Sequence, residues 1–220
     1  MKRETITEEA YESLFHEEFD EFLVSPVHRN AAEALEIEPK DSFLDIGCGQ
    51  GELVYLAKKK GCLSLCGIDF LEKAFDIAKQ KVPSAKFFTG NAIDIPFPDS
   101  SFTKIAGLGV IGYLSPADIP KCFSEISRIL KSGGYFLIRT AQPLNIIGTL
   151  VLKIKTKGKY RATSHRYHLS LLSHAARACG LETSKTWLSM DAEKKGGWKR
   201  IIYFLVFPFF AQRWILFKRI

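Results

Sequence analysis

The chain has 220 residues, 46% of them hydrophobic, a net charge of +7 and five cysteines. That is apolar material for one self-sufficient α/β domain with extensions, and it leaves little room for a second full domain. The opening Met1-Lys2-Arg3-Glu4 runs into acidic sequence without an apolar signal region, so a reducing, cytoplasmic setting is expected, with Cys48, Cys62, Cys66, Cys122 and Cys179 as free thiols and no pair spaced for zinc.

Thr7 to Leu23 reads as an acidic helix, with Thr7 as N-cap and an apolar stripe of Tyr11, Leu14, Phe15, Phe19 and Phe22; Val27 to Leu35 reads as a second helix. Strands are expected at Ser42–Ile46 and Cys62–Ile68, alternating with helices at Gly51–Lys60 and Leu71–Lys81. Alternation along the second strand would put Cys62 and Cys66 on one face. Strands follow near Lys86–Thr89, Lys104–Gly109 and Tyr135–Arg139, with a helix at Ala117–Leu130 before the last of them. This alternation predicts an α/β fold with a doubly wound, mainly parallel sheet.

The most informative run is Leu44-Asp45-Ile46-Gly47-Cys48-Gly49-Gln50-Gly51-Glu52, followed at the distance of one helix and one strand by Gly67-Ile68-Asp69-Phe70. Three alternate glycines directly after an apolar strand let the backbone turn sharply and lie against a ligand. Asp69, ending the second strand, stands where a carboxylate holds a ribose hydroxyl pair. A dinucleotide fingerprint needs glycine at its sixth position, where this chain has Glu52; that carboxylate and Asp45 oppose a phosphate and suit a cation.

These residues closely resemble motifs I and II of the class I S-adenosylmethionine-dependent methyltransferases. The similarity continues through Gly90-Asn91-Ala92-Ile93-Asp94-Ile95-Pro96-Phe97-Pro98-Asp99-Ser100-Ser101-Phe102, like a stretch of the methyltransferase-11-like and quinone-biosynthesis branch, and through Leu130-Lys131-Ser132-Gly133-Gly134. Two positions depart from the pattern: Asn91 stands for an acidic residue and Thr103 for an aspartate. An amide still offers one acceptor and one donor to an adenine edge, and Thr103 is expected to serve structure. The resemblance implies a seven-stranded Rossmann-like sheet and S-adenosylmethionine as cofactor. It places Asp45, Gly47 and Leu108 near the methionyl end, Cys48, Gly49 and Gly51 at the turn, Asp69 on the ribose, Phe70 against adenine, and Asn91 and Ala92 at the adenine edge. No metal is implied.

The composition changes after Thr140. From residue 139 onward 16 basic residues face 3 acidic ones, whereas the first 138 residues carry a net charge of −6. Residues 141–168 read as a basic and apolar substrate lid, in which Leu144–Ile154 is followed by Lys155, Lys157, Lys159, Arg161, His165 and Arg166. A lipid-facing lid at an anionic membrane surface, a nucleic-acid grip and a solvated loop are its three readings. His165 and His168 are candidate bases, with Tyr113 or Tyr167 as neighbours, because imidazole titrates near neutral pH.

The resemblance makes Leu169–Cys179 a helix, Leu181–Leu188 the sixth strand and Lys199–Phe207 an antiparallel seventh strand between the fifth and sixth. The tail from Phe209 to Ile220, with Phe209, Phe210, Trp214, Ile215 and Phe217 beside Arg213, Lys218 and Arg219, would be an interfacial anchor or a homodimer contact. The whole chain is thus expected to be one domain: residues 1–36 as cap helices, 37–140 as cofactor-binding core, 141–168 as lid, 169–207 completing the sheet and 208–220 as tail. The expected activity is methyl transfer to a small lipophilic or anionic acceptor. An RNA methyltransferase and an inert S-adenosylmethionine-binding subunit are the alternatives.

Overall fold

The computed structural model describes residues 7, 22–141, 165–189 and 212–220. The bulk of the predicted leading helix, the stretch Leu144–Ile154 with the lysines after it, and the predicted strand Lys199–Phe207 lie outside the described residues.

Five α-helices and seven strands are described: α1 (Pro26–Ala34), β1 (Ser42–Ile46), α2 (Glu52–Lys59), β2 (Ser64–Asp69), α3 (Phe75–Lys81), β3 (Lys86–Thr89), β4 (Phe102–Leu108), α4 (Ile119–Ile129), β5 (Leu130–Ala141), α5 (Leu169–Ala178), β6 (Leu181–Ser189) and β7 (Gln212–Arg219). The strands form one sheet in the order β3-β2-β1-β4-β5-β7-β6. The pairs from β3 to β5 are parallel, and β7 runs antiparallel to both its neighbours. The strand order reverses between β1 and β4, and the crevice for a ligand in such a sheet lies at the carboxyl ends of the strands beside that reversal.

Period-two alternation sorts the strand residues onto two faces. Leu44, Ile105, Phe136, Ile138, Ile215 and Phe217 pack with Phe123 and Ile126 of α4 and Leu172 of α5. Phe43, Leu65, Ala106, Leu137 and Trp214 pack with Ala31 and Leu35 of α1, Leu53 and Val54 of α2 and Phe75 of α3. Both faces are therefore covered, as continuous apolar runs such as Phe136-Leu137-Ile138 require.

Three expectations need correction. The antiparallel strand between β5 and β6 is Gln212–Arg219, eight residues that were read as part of a tail. Trp214, Ile215 and Phe217 are buried there, so this segment is no interfacial anchor or dimer contact. The charges at Arg213, Lys218 and Arg219 sit at the strand's ends, where a central strand tolerates them. Second, Cys62 packs on the α1–α2 face and Cys66 on the other, because regular alternation begins only at Ser64, after Cys62. Third, the predicted helix Leu71–Lys81 opens with a 3₁₀ turn, Glu72–Ala74. Among the described residues no helix is long and apolar enough to cross a membrane.

Candidate active site

The glycine loop leaves β1 by turning back on β2. The amides of Gly47 and Cys48 both donate to the carbonyl of Ile68, at 2.8 and 3.0 Å. Gly47 has φ +71°, and a Cβ there would lie 2.7 Å from Val110 Cγ2. Only glycine fits both the left-handed backbone and the close approach. Gly51, at φ +81°, is the N-cap of α2. Asp69 fastens the loop from the neighbouring strand: its Oδ2 accepts the amide of Gly49 at 2.9 Å and its Oδ1 that of Leu71 at 3.1 Å.

A pocket opens at the carboxyl ends of β1, β2 and β4. It is lined by Ile46, Gly47, Ile68, Asp69, Phe70, Gly90, Asn91, Ala92, Leu108, Gly109, Val110, Tyr113 and Leu114. Six of the ten predicted cofactor residues are thus brought to one cavity: Gly47, Asp69, Phe70, Asn91, Ala92 and Leu108. The other four stand behind the wall. Cys48 turns its sulfur into the sheet, where a Cβ on Gly67 would come within 2.7 Å of it; Gly49 and Gly51 shape the turn, and Asp45 is buried. Sequence reasoning missed the wall formed by Gly109, Val110 and Leu114, although glycines at 109 and 112 after an apolar strand repeat the signal that marked the first loop.

The electrostatics of this end are one-signed. Burial holds the Asp45 carboxyl well above the usual carboxylate range, and the Glu52 and Asp69 carboxylates push it further the same way. Burial also raises Asp69, against the amides of Gly49, Leu71 and Phe70 that favour its ionised form, and raises Glu52. A cation placed here would relieve the crowding of three carboxylates, and a phosphate would add to it. Burial and the Asp45 and Asp69 carboxylates push the Cys48 thiol up as well, which leaves it protonated and unreactive at neutral pH.

The loop from Asn91 to Phe97 is braced from α4. The Oδ1 of Asn91 accepts the amide of Ile93 at 3.2 Å. Glu125 Oε2 accepts the amide of Ile95 at 2.8 Å, and the Arg128 guanidinium donates to the carbonyls of Ile95 and Phe97 at 2.9 and 2.7 Å. Thr103 lies at the far end of β4, donating to Asp41 Oδ1 at 2.7 Å and accepting the Ser42 amide at 3.0 Å, a structural clasp.

Of the residues put forward for catalysis, Tyr113 lines the pocket, whereas His165 and His168 do not. Tyr113 lies in the 3₁₀ turn Val110–Tyr113 and lines the pocket. The backbone amide of His165 donates to the Gly112 carbonyl, which ties His165 to that turn. Its ring stacks on Tyr167 at 5.6 Å between centroids. Tyr167 is itself fixed by a 2.6 Å hydrogen bond from its hydroxyl to the Leu114 carbonyl; burial, with Asp118, pushes its phenol up to about 12. His168 is exposed at the N-cap of α5 and is not among the pocket-lining residues.

Residues 44–138 match the family model described as a methyltransferase domain. The chain is similar to a demethylmenaquinone methyltransferase of Symbiobacterium thermophilum, at 32% identity over 50% of this chain and 46% of that protein. It is also similar to a fatty-acid O-methyltransferase of Mycolicibacterium smegmatis, at 28% identity over 58% of this chain and 46% of that one. The chain spans about half the length of the curated relatives it matches. Its fold is shared with the crystal structure of an S-adenosylmethionine-dependent methyltransferase from Mesorhizobium loti, with a TM-score of 0.69 and 17% identity over 91% of this chain and all of that one.

Proposed function

We propose, from the premise that residues 44–138 belong to the methyltransferase domain family, that this chain transfers a methyl group from S-adenosylmethionine to a small lipophilic acceptor. The observation that carries this reading is the pocket itself: a glycine loop with no room for a Cβ at Gly47, clasped by Asp69, beside the carboxyl groups of Asp45, Glu52 and Asp69, which among the described residues crowd one another. Those features fit a nucleoside carrying positive charge.

In this reading Asp69 receives the ribose hydroxyls, Phe70 packs against adenine, and Asn91 and Ala92 border the adenine edge. Asp45 and Glu52 supply the negative field for the methionyl end, with Leu108 beside its chain. When bound, S-adenosylmethionine brings a methyl carbon on a positively charged sulfur, so the leaving group is already activated. What remains for the protein is alignment and, for a hydroxyl acceptor, removal of a proton. In this reading Tyr113, which lines the pocket, and His165, tied to the same turn through the Gly112 carbonyl but outside the pocket lining, are the candidates for taking that proton. The names of the relatives, one acting on a quinone precursor and one on a fatty acid, support a lipophilic acceptor.

Calorimetric titration with S-adenosylmethionine, with NAD as the control, tests the cofactor. Binding of the former alone supports the reading, and binding of neither overturns it in favour of an inert domain. His165→Asn then separates chemistry from binding: kcat should fall about 100-fold while cofactor affinity stays within twofold.

A further inference from the structure

Asn91 lies one strand beyond Asp69 in the wall of the pocket. Thr89, the last residue of β3, pairs with Asp69 in the parallel register, and the Gly90 amide donates to the Asp69 carbonyl at 3.0 Å. Asn91 follows as a lining residue of the same cavity. A purine joined through N9 to a ribose on Asp69, and reaching away from the glycine loop, turns toward Asn91 the edge remote from its sugar. That edge carries N1 and the substituent on C6.

The side-chain amide of Asn91 is oriented by its own turn. Its Oδ1 accepts the Ile93 amide at 3.2 Å; the reverse orientation would set the Nδ2 donor against the Ile93 N–H. With Oδ1 engaged in the turn, the other end of the amide is Nδ2, which offers only protons. The turn is held from outside as well. The Asp94 amide donates to the Asn91 carbonyl at 3.0 Å, and Ile95, one residue on, is gripped by Glu125 and Arg128. A carboxylate at position 91 would keep the bond to Ile93 with one oxygen and present an acceptor with the other. Asparagine presents a donor in its stead.

A donor and an acceptor at this point read a purine differently. The remote edge of adenine has a donor, the 6-amino group, beside an acceptor, N1. Hypoxanthine, its 6-oxo counterpart, has the two reversed: O6 accepts and N1–H donates. A fixed acceptor matches the 6-amino group and opposes O6, and such a mismatch leaves both partners desolvated and unpaired. A fixed donor finds an acceptor on either base.

We infer that Asn91 sets the base specificity of this pocket: its Nδ2 donates to N1 of adenine or to O6 of hypoxanthine, so the site takes inosyl as well as adenosyl nucleosides. The inference rests on the methyltransferase reading and deepens it at the base of the cofactor. Asp69 and the carboxylates at the other end of the pocket meet the same ribose and the same amino-acid chain in both compounds, so the base alone distinguishes them.

The test is calorimetric binding of S-adenosylhomocysteine and S-inosylhomocysteine to the full chain and to Asn91→Asp, a nearly isosteric change. The wild type should bind the two within about threefold of each other, and Asn91→Asp should move the ratio at least tenfold toward the adenosyl compound. A wild-type preference for the adenosyl compound above tenfold, or a ratio that Asn91→Asp leaves unchanged, overturns the inference, while the measured binding of S-adenosylhomocysteine leaves the methyltransferase reading standing. Binding of neither compound by the wild type would instead overturn that reading. Should Asn91→Asp fail to fold, the 1-deaza analogue of S-adenosylhomocysteine, in which C–H replaces N1, gives the answer on the wild type. It should bind about fivefold or more weakly than the parent compound, and equal affinity overturns the inference.

Discussion

The carboxylate of Asp69 accepts the amide of Gly49 at 2.9 Å across a sequence separation of 20 residues. It thereby joins the glycine loop after β1 to the end of β2, and the residue expected on the ribose is also the one that shapes the loop under it.

Asp69→Ala should therefore do more than delete one ligand contact. Loss of a hydrogen bond to a charged group costs about 1.5–3 kcal/mol, and a loosened loop adds to that, so S-adenosylmethionine affinity should fall at least tenfold by calorimetry. Asp69→Asn keeps an acceptor oxygen and should fall less. Unchanged affinity in Asp69→Ala would refute the cofactor site.

A second prediction concerns acid stability. His28 has its folded value lowered from 6.5 to about 4, by burial first and by Arg139 and Arg29 after it. The unfolded chain takes up this proton earlier as pH falls, so the stabilisation is fully present above pH 6.5 and drains away between 6.5 and 4, by about 3 kcal/mol in total. The sequence Ser25-Pro26-Val27-His28 has the spacing of a capping box, so His28→Gln keeps the cap and removes the titration. Urea denaturation at pH 7 and pH 5 should show a smaller loss in His28→Gln than in the wild type; equal losses would place the acid sensitivity elsewhere.

The third concerns β7. The Phe217 ring is fully buried, 5.3 Å edge-on from Phe123 and stacked 6.1 Å from Phe136. Removing such a side chain costs about 3–5 kcal/mol. Phe217→Ala should therefore lower the thermal midpoint by roughly 6–20 °C for a chain of this size. An exposed tail residue would leave the midpoint within a degree or two.

Much of this architecture was legible in the residues. Strand β3 has the bounds that its sequence suggested, and the loop Gly47–Gly51 with Asp69 was found because glycine spacing and a strand-end carboxylate are backbone requirements that few other sequences meet. The identity of β7 was not legible. Residues 201–211 form a longer uncharged apolar run than 212–219, and apolar content alone favours the former as a central strand. What selects Gln212–Arg219 is tertiary: Trp214 stacks on Trp187 of β6, with ring centroids 5.8 Å apart, and Phe217 fills the space between Phe123 and Phe136.

The position of β7 also bears on how the chain reaches its fold. β6 precedes β7 in sequence, yet among the described strands it bonds only to β7, while 22 residues separate Ser189 from Gln212. At a synthesis rate of about 5–20 residues per second, β6 leaves the ribosome one to several seconds before the strand that must dock it, with both its edges unpaired. During that interval the nascent sheet stops at β5. Sheet completion is then a late, non-local event, and the exposed edges of β5 and β6 are where a newly made chain is most vulnerable to pairing with another copy of itself.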